Sequence, residues 1–184
     1  MARLRYVTPA DSPDPERMEH IYTQIRGMGR SVNHLYQVLA NQPAALEAFL
    51  GMSRYIRDDS SLRPALREMA ILATAEALDQ PYEIAHHRPA ALQSGVTPEK
   101  IDTILAGETH ELAPVERAVV TYALQVAQER KVDDAAFDEL RSFFSDAEIA
   151  DLVLTVAWYH LCAAVLGPLR VELELDAAAD RDVT

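Results

Sequence analysis

The densest group of chemically able side chains lies in one stretch, Tyr82-Glu83-Ile84-Ala85-His86-His87-Arg88. On a helix, Glu83 and His87 are i and i+4 and share a face, whereas His86 points about 100° away from His87. A carboxylate one turn from an imidazole can hydrogen-bond it, select its tautomer and raise its pKa. Such a pair could work as a general acid/base. The same spacing also describes a solvated Glu–His pair contributing about 0.2–0.5 kcal/mol, and spacing alone leaves both readings open. As metal donors, Glu83 and His87 supply two groups, with Glu68, His86 or His34 as a third. A tight signature such as His-Glu-X-X-His is missing, so neither a metal nor another cofactor is expected. The one cysteine, Cys162, precludes a Cys-X-X-Cys redox pair. Cys162, His160, Trp158 and Tyr159 stand in an apolar segment and are expected to pack. Nothing in the sequence places His34 or Tyr36 near the cluster.

The elements that must hold these groups read as helices throughout. Asp14-Pro15-Glu16 has the form of an N-cap, a proline at the first helical position and an acid in the first turn. It predicts a helix that could run to about Ala40, weakened at Gly27 and Gly29, which could mark a bend or a break into a loop. Further starts fall at Asn41-Gln42-Pro43, Ser60-Ser61 with Pro64, Asp79-Gln80-Pro81, Thr97-Pro98-Glu99, Pro114-Val115-Glu116 and Asp133-Asp134. Gly95 is a candidate C-cap for the helix that carries the cluster. Ser145-Asp146-Ala147-Glu148 has the pattern of a capping box. Val96–Ile101 resembles Phe144–Ile149, a weak hint of a duplicated helical unit. Alternating strand patterns and hairpin signals are lacking, so the fold class is all-α.

The chain has 184 residues and a net charge of −12, with 49% hydrophobic residues. These numbers suit one globular domain over 1–184, with a core from about 40 to 175 and a polar tail from about 176 to 184. The acidity argues against a nucleic-acid partner, which needs a basic stripe. The first residues lack the apolar run of a secretory signal, so a cytoplasmic protein is expected. Leu152–Leu169 contains no Asp, Glu, Lys or Arg and touches the lower length limit of a membrane span. With Thr155, His160 and a Gly167-Pro168 break inside it, the expectation is a core or subunit-interface helix rather than a membrane helix. That much apolar surface also predicts a homo-oligomer.

Two segments carry a family resemblance. Arg67-Glu68-Met69-Ala70-Ile71-Leu72 and Tyr82 through Val96 resemble the carboxymuconolactone decarboxylase family, which includes the alkylhydroperoxidase D branch. Phe144-Ser145-Asp146-Ala147-Glu148-Ile149 and the helix around Trp158-Tyr159-His160 look like its C-terminal half. The resemblance covers roughly residues 40 to 175. It implies an alkylhydroperoxidase D-like helical bundle that assembles as a trimer or hexamer. The peroxidase branch carries a Glu, then Cys-X-X-Cys, then a His four residues after the second Cys, with Ala and Gly four and eight residues further on. His87, Ala91 and Gly95 match that frame, and Glu68 falls where the proton-relay Glu would be. The two cysteine positions fall on Gln80 and Glu83, which can neither attack a peroxide nor resolve a sulfenic acid.

The resemblance therefore implies a site of Glu68, Glu83 and His87, with Tyr82 and His86 beside it. Two carboxylates around one imidazole push their pKa values apart, which suits proton transfer next to a carbonyl. Arg88 or Arg67 could bind a substrate carboxylate, although either arginine could equally be a surface ion pair. The expected function is a cofactor-independent lyase or isomerase acting on a small carboxylated lactone or keto acid. His87 would be its general acid/base, oriented by Glu68 and Glu83. The alternatives are peroxiredoxin-type antioxidant activity, which lacks its cysteine pair here, and a non-catalytic ligand-binding module.

Overall fold

The computed structural model describes residues 1–174, so the expected polar tail lies outside the described residues. Those residues form nine α-helices and no strand. They are α1 (Pro15–Gly27), α2 (His34–Leu39), α3 (Pro43–Arg54), α4 (Pro64–Ala77), α5 (Pro81–Gln93), α6 (Pro98–Leu105), α7 (Pro114–Glu129), α8 (Asp134–Phe143) and α9 (Asp146–Leu169). A 3₁₀ turn at Pro9–Asp11 precedes α1, and a π-helical turn at Tyr55–Asp59 continues α3. The all-α reading holds.

Six of the helices, α1 and α3 to α7, begin with proline. Proline's missing N–H is harmless there, and its φ is already helical. The polar caps form as their residues dictate. Asp14, Asn33, Thr97 and Asp133 each accept a hydrogen bond from the backbone N–H three residues on. At Ser145 the box closes in both directions, with Ser145 N–H donating to Glu148 Oε2 at 2.9 Å and Glu148 N–H donating to Ser145 Oγ at 3.4 Å.

The stretch from Pro15 to about Ala40 breaks at its glycines: Gly29 takes φ +71° and ends α1, and α2 follows. One sequence expectation is corrected. The Gly167-Pro168 pair does not break α9, which runs to Leu169. Its exposed end is closed from the N-terminal segment: Arg3 donates its backbone N–H to Leu169 O at 2.8 Å and a guanidinium N–H to Pro168 O at 2.9 Å.

The described chain forms two compact units. One comprises Met1–Asp59 with the described residues from Leu166 onward, and the other comprises Ser60–Val165. In the first, α1 and α2 pack on α3. Tyr36 meets Phe49 edge-on at 6.2 Å, and Tyr6 stacks on His34 at 4.0 Å. His34 Nδ1 lies 2.7 Å from Glu172 O, and the N-terminal ammonium pairs with Glu172 at 2.8 Å.

In the second unit α4 packs against α5, α6 and α7. Nine of its fourteen residues are buried, so α4 is apolar on almost every face and is the central helix of this unit. The core continues through Ala91, Val96, Ile101, Ile104, Val119, Val120, Leu140, Leu152 and Val156. Asp151 fixes the approach to α4, accepting from both Ser61 N–H at 2.7 Å and Ser61 Oγ at 2.6 Å.

Helix α9 is long and apolar enough to cross a membrane by length and composition, and half of its most apolar window is buried in the protein. Its outer face carries the exposed side chains Val153, Leu154 and Leu161.

Candidate active site

The site begins at a tight connection. After α4, Asp79 adopts φ +51°, and Gln80 N–H donates back to Ala75 O at 2.8 Å. An aspartate tolerates this left-handed position better than most residues. Pro81 then starts α5, so the chain reverses over a few residues into a helical hairpin. At the far end of α5, Gly95 at φ +93° closes the helix: Val96 N–H donates to Ala91 O and Gly95 N–H to Leu92 O, both at 3.0 Å. This double bond is the usual glycine-terminated helix end. The hairpin brings together two residues 19 positions apart, Glu68 on α4 and His87 on α5.

His87 Nδ1 lies 2.7 Å from Glu68 Oε2. A carboxylate at that distance places the proton on Nδ1. The other ring nitrogen, Nε2, is 2.9 Å from the phenol oxygen of Tyr159 on α9. The two rings meet edge to face at 4.9 Å and 87°. Glu83 Oε2 stands 3.6 Å from the same Nε2. Glu68, Glu83, His87 and Tyr159 are all between 3% and 5% exposed. Arg67 brings its Nε to 3.6 Å from the second oxygen of Glu68, so the relay is backed by a guanidinium.

In the neutral state, His87 donates from Nδ1 to Glu68 and accepts from Tyr159 at Nε2. If it gains a proton, Nε2–H faces the Tyr159 oxygen, with the Glu83 carboxylate close enough to stabilise the imidazolium. Water is largely excluded, which strengthens each of these interactions relative to the same groups on a surface.

Cys162 is part of the same cluster. It lies one turn beyond Tyr159 on α9, is buried, and its thiol shares a hydrogen bond with the Glu83 carboxylate. Burial, followed by the negative charge of Glu83, pushes the Cys162 thiol well above the ordinary thiol range. The thiol stays protonated and donates to Glu83, the opposite of the thiolate that attacks peroxides. The folded chain holds this proton at pH values where the unfolded chain releases it. Stability therefore falls as pH rises above about 9, the ordinary value for the thiol. We expect iodoacetamide to alkylate native Cys162 at pH 8 roughly 10²-fold more slowly than the urea-unfolded chain. Equal rates, followed by mass spectrometry, would show that the thiol is not held in this network.

The remaining residues singled out in the sequence fall as follows. Tyr82 is buried, and its ring meets that of half-buried His86 at 4.6 Å, on α5. Arg88 turns away and pairs with Asp102 on α6 at 3.1 Å. His160 donates from Nδ1 to Val156 O of its own helix at 2.8 Å. His34 belongs to the first unit. Among the described residues, no group of three His, Cys, Asp or Glu side chains is arranged to hold a metal ion.

The sequence did not single out Tyr159 as a site residue, because it sits 72 positions from His87 in an uncharged helix. A usable signal was present: a tyrosine within an apolar core helix needs a hydrogen-bond partner for its hydroxyl. Cys162, three residues on, shares its face.

Solved structures share the helical fold across nearly the whole chain. A peroxidase-related protein with an AhpD core from Ralstonia eutropha JMP134 superposes with a TM-score of 0.80 at 21% identity, over 96% of this chain and 94% of its own. A peroxidase-related protein from Silicibacter sp. TM1040 gives 0.79 at 19%, over 96% and 93%. The debrominase Bmp8, as a cysteine-to-alanine variant in complex with 2,3,4-tribromopyrrole, gives 0.80 at 17%, over 97% and 95%. At these identities the likeness is one of fold. No curated protein matches the chain. Residues 43–129 match the model of the carboxymuconolactone decarboxylase family, and across nearly the whole chain the likeness to the AhpD-core structure is one of fold.

Proposed function

We propose that this protein is a cofactor-independent lyase or isomerase that moves a proton next to the carbonyl of a small carboxylated lactone or keto acid. The observation that carries this reading is the 2.7 Å contact between His87 Nδ1 and Glu68 Oε2 inside a buried helical hairpin. A carboxylate there holds one imidazole tautomer and offsets the charge of an imidazolium, the two services a general acid/base needs. Glu83, at 3.6 Å on the Nε2 side, adds a second counter-charge. Removal of an α-proton leaves an enolate, and return of a proton at another carbon isomerises the substrate; a carboxylate β to the carbonyl that departs as CO₂ leaves its electron pair in the same kind of enolate, which is then protonated at carbon.

Dithiol peroxide reduction has less support, since the chain has one cysteine and burial holds it as the thiol. The debrominase among the fold neighbours extends the chemistry of this fold to a halogenated pyrrole, without indicating that substrate for this chain. One observation favours a second reading. Glu68, Glu83 and His87 are each less than 5% exposed, which also suits a polar network retained in a non-catalytic ligand-binding module.

Deuterium wash-in separates the two. Pyruvate, levulinate and α-angelica lactone would be incubated with the protein in D₂O near neutral pD and followed by proton NMR. We expect exchange of α-protons above the spontaneous rate, lowered roughly 10²–10⁴-fold in His87→Gln. Exchange that persists undiminished in His87→Gln would remove His87 from the chemistry, and a wild type with no exchange above the spontaneous rate would favour the second reading.

A further inference from the structure

Helix α9 has two unlike faces. The inner one carries Tyr159 and Cys162, both buried. The outer one carries a regular row. Ala147, Ala150, Leu154, Ala157, Leu161 and Ala164 follow one another at alternating steps of three and four residues, and all six are exposed. That alternation is the spacing of a coiled-coil seam, whose every position faces a partner helix. The two acids within its length, Glu148 and Asp151, are turned off the row, one half-buried and the other buried. From Leu152 onward the helix has no charged side chain.

Leu154 and Leu161 are 38% and 44% exposed, and Val153 beside them is 38% exposed. With the alanines they leave on the order of 400 Å² of apolar surface to water, the size of the largest and often functional patch on a soluble monomer. Two such rows, with half-buried Trp158, His160 and Val165 at their edges, cover about 1,000 Å² together, where specific interfaces begin.

We infer that the outer face of α9 binds a second copy of this chain, antiparallel, about a two-fold axis at the level between Thr155 and Val156. Turned end for end about that point, the row maps onto itself. Leu154 meets the partner's Ala157, Leu161 meets the partner's Ala150, and Ala147 meets the partner's Ala164. Each leucine thus faces an alanine, large opposite small, and every contact occurs twice, as a two-fold interface requires. A parallel pair would set leucine on leucine and alanine on alanine. Leucine layers hold helix axes near about 10 Å and alanine layers near about 8 Å, so the parallel pair meets two conflicting spacings.

Charge favours the same arrangement. Each copy carries a net charge of −12, and the uncharged row is a face on which two such copies can approach. Asp146, exposed at the start of α9, would lie beside its own copy in a parallel pair, whereas the antiparallel pair puts the two at opposite ends. Among the described residues, the other exposed large apolar side chains of the second unit are Leu92 on α5 and Phe143 on α8, which form no comparable row.

The test uses the full chain. Sedimentation velocity at micromolar concentration should show an even-numbered assembly in the wild type. Leu154→Glu, close to the axis, should halve it, weakening the contact roughly 30-fold or more, as loss of a central anchor does. Leu92→Glu, equally exposed but on α5, should leave the assembly unchanged. Ala157→Trp is a second probe: an indole at an exposed position spares the monomer and overfills the space opposite the partner's Leu154. Circular dichroism identifies the variants that fold. Cysteine cross-linking reads the orientation, with buried Cys162 silent. Ala150→Cys combined with Leu161→Cys should link two chains, and Ala150→Cys alone should not. A monomeric or odd-numbered wild type would overturn the inference. So would an assembly untouched by both Leu154→Glu and Ala157→Trp, or a link formed by Ala150→Cys alone. A monomer that sediments with phosphatidylglycerol vesicles, and loses them in Leu154→Glu, would overturn it in favour of a lipid surface.

Discussion

Replacing Glu68 with alanine should cost about 3–5 kcal/mol of folding stability, the range for removing one member of a buried charged pair. The reason is what remains. Arg67 and His87 stay where they are, both largely buried, and each loses the carboxylate that faces it at 3.6 Å and 2.7 Å respectively. The His87 Nδ1–H is left without an acceptor in a core that offers no water to replace it. Typical domains are stable by about 5–15 kcal/mol, so this is a large share. In a chain of this size it corresponds to a fall in Tm of roughly 6–20 °C. Glu68→Gln keeps an amide oxygen that can accept from Nδ1–H and should recover more than about 1 kcal/mol of the loss. Urea unfolding of the three proteins measures both differences. A Glu68→Ala protein within about 1 kcal/mol of wild type would mean that the contact is loose and that α4 does not depend on it.

The place of this contact in the fold explains how much could be read in advance. The starts of the helices were visible because proline and capping residues act locally: Pro15, Pro43, Pro64, Pro81, Pro98 and Pro114 each open a helix where expected. The Ser145–Glu148 box formed for the same reason. The Gly167-Pro168 pair misled because a proline in the last turn of a helix removes only one hydrogen bond, that to the carbonyl of Ala164, while the terminal carbonyls of Pro168 and Leu169 are satisfied by Arg3 from the N-terminal segment. No local pattern announces that rescue.

At the site, Glu83 and His87 were legible from i, i+4 spacing, and Glu68 only through the family resemblance. The hairpin turn at Asp79 and Gln80 brings α4 and α5 together, and nothing in the α5 motif alone states which residue of α4 it will meet. Tyr159 and Cys162 come from a helix whose composition marks it as core. Their roles depend on which of its faces turns toward α5, and that is decided by packing of the whole unit. Arg88 shows the converse. Its neighbour in sequence is the central histidine, yet a helix rotates successive residues by about 100°, and it ends on Asp102 at the surface side of the hairpin.

Gln80 and Glu83, on which the sequence resemblance places the peroxidase cysteines, stand in different surroundings. Gln80 is the residue before α5 and donates its side-chain amide to Leu78 O at 3.2 Å, while Glu83 is buried and takes the hydrogen bond of Cys162. The remaining sulfur is therefore a proton donor to a carboxylate. A cluster built this way is suited to holding and passing protons, and poorly suited to presenting a thiolate.

Activity should expose that cluster as a single unit. We expect His87→Gln and Glu68→Gln each to lower deuterium wash-in, by roughly 10²–10⁴-fold for the histidine and by roughly 10-fold or more for the carboxylate that orients it. The double variant should be no slower than His87→Gln alone. Glu68 acts only through Nδ1 of His87, at 2.7 Å, so once the imidazole is gone the carboxylate has nothing to orient. Residues that work in sequence on one proton are strongly non-additive, whereas independent contributions multiply. Glu83→Gln offers a contrast. It stands 3.6 Å from the imidazole and has no hydrogen bond to it, so its effect should be smaller than that of Glu68→Gln. A double variant slower than His87→Gln by the full Glu68 factor would mean that Glu68 touches the reaction by a route other than His87. The assignment of Glu68 as a group that acts only by orienting His87 would then have to be abandoned.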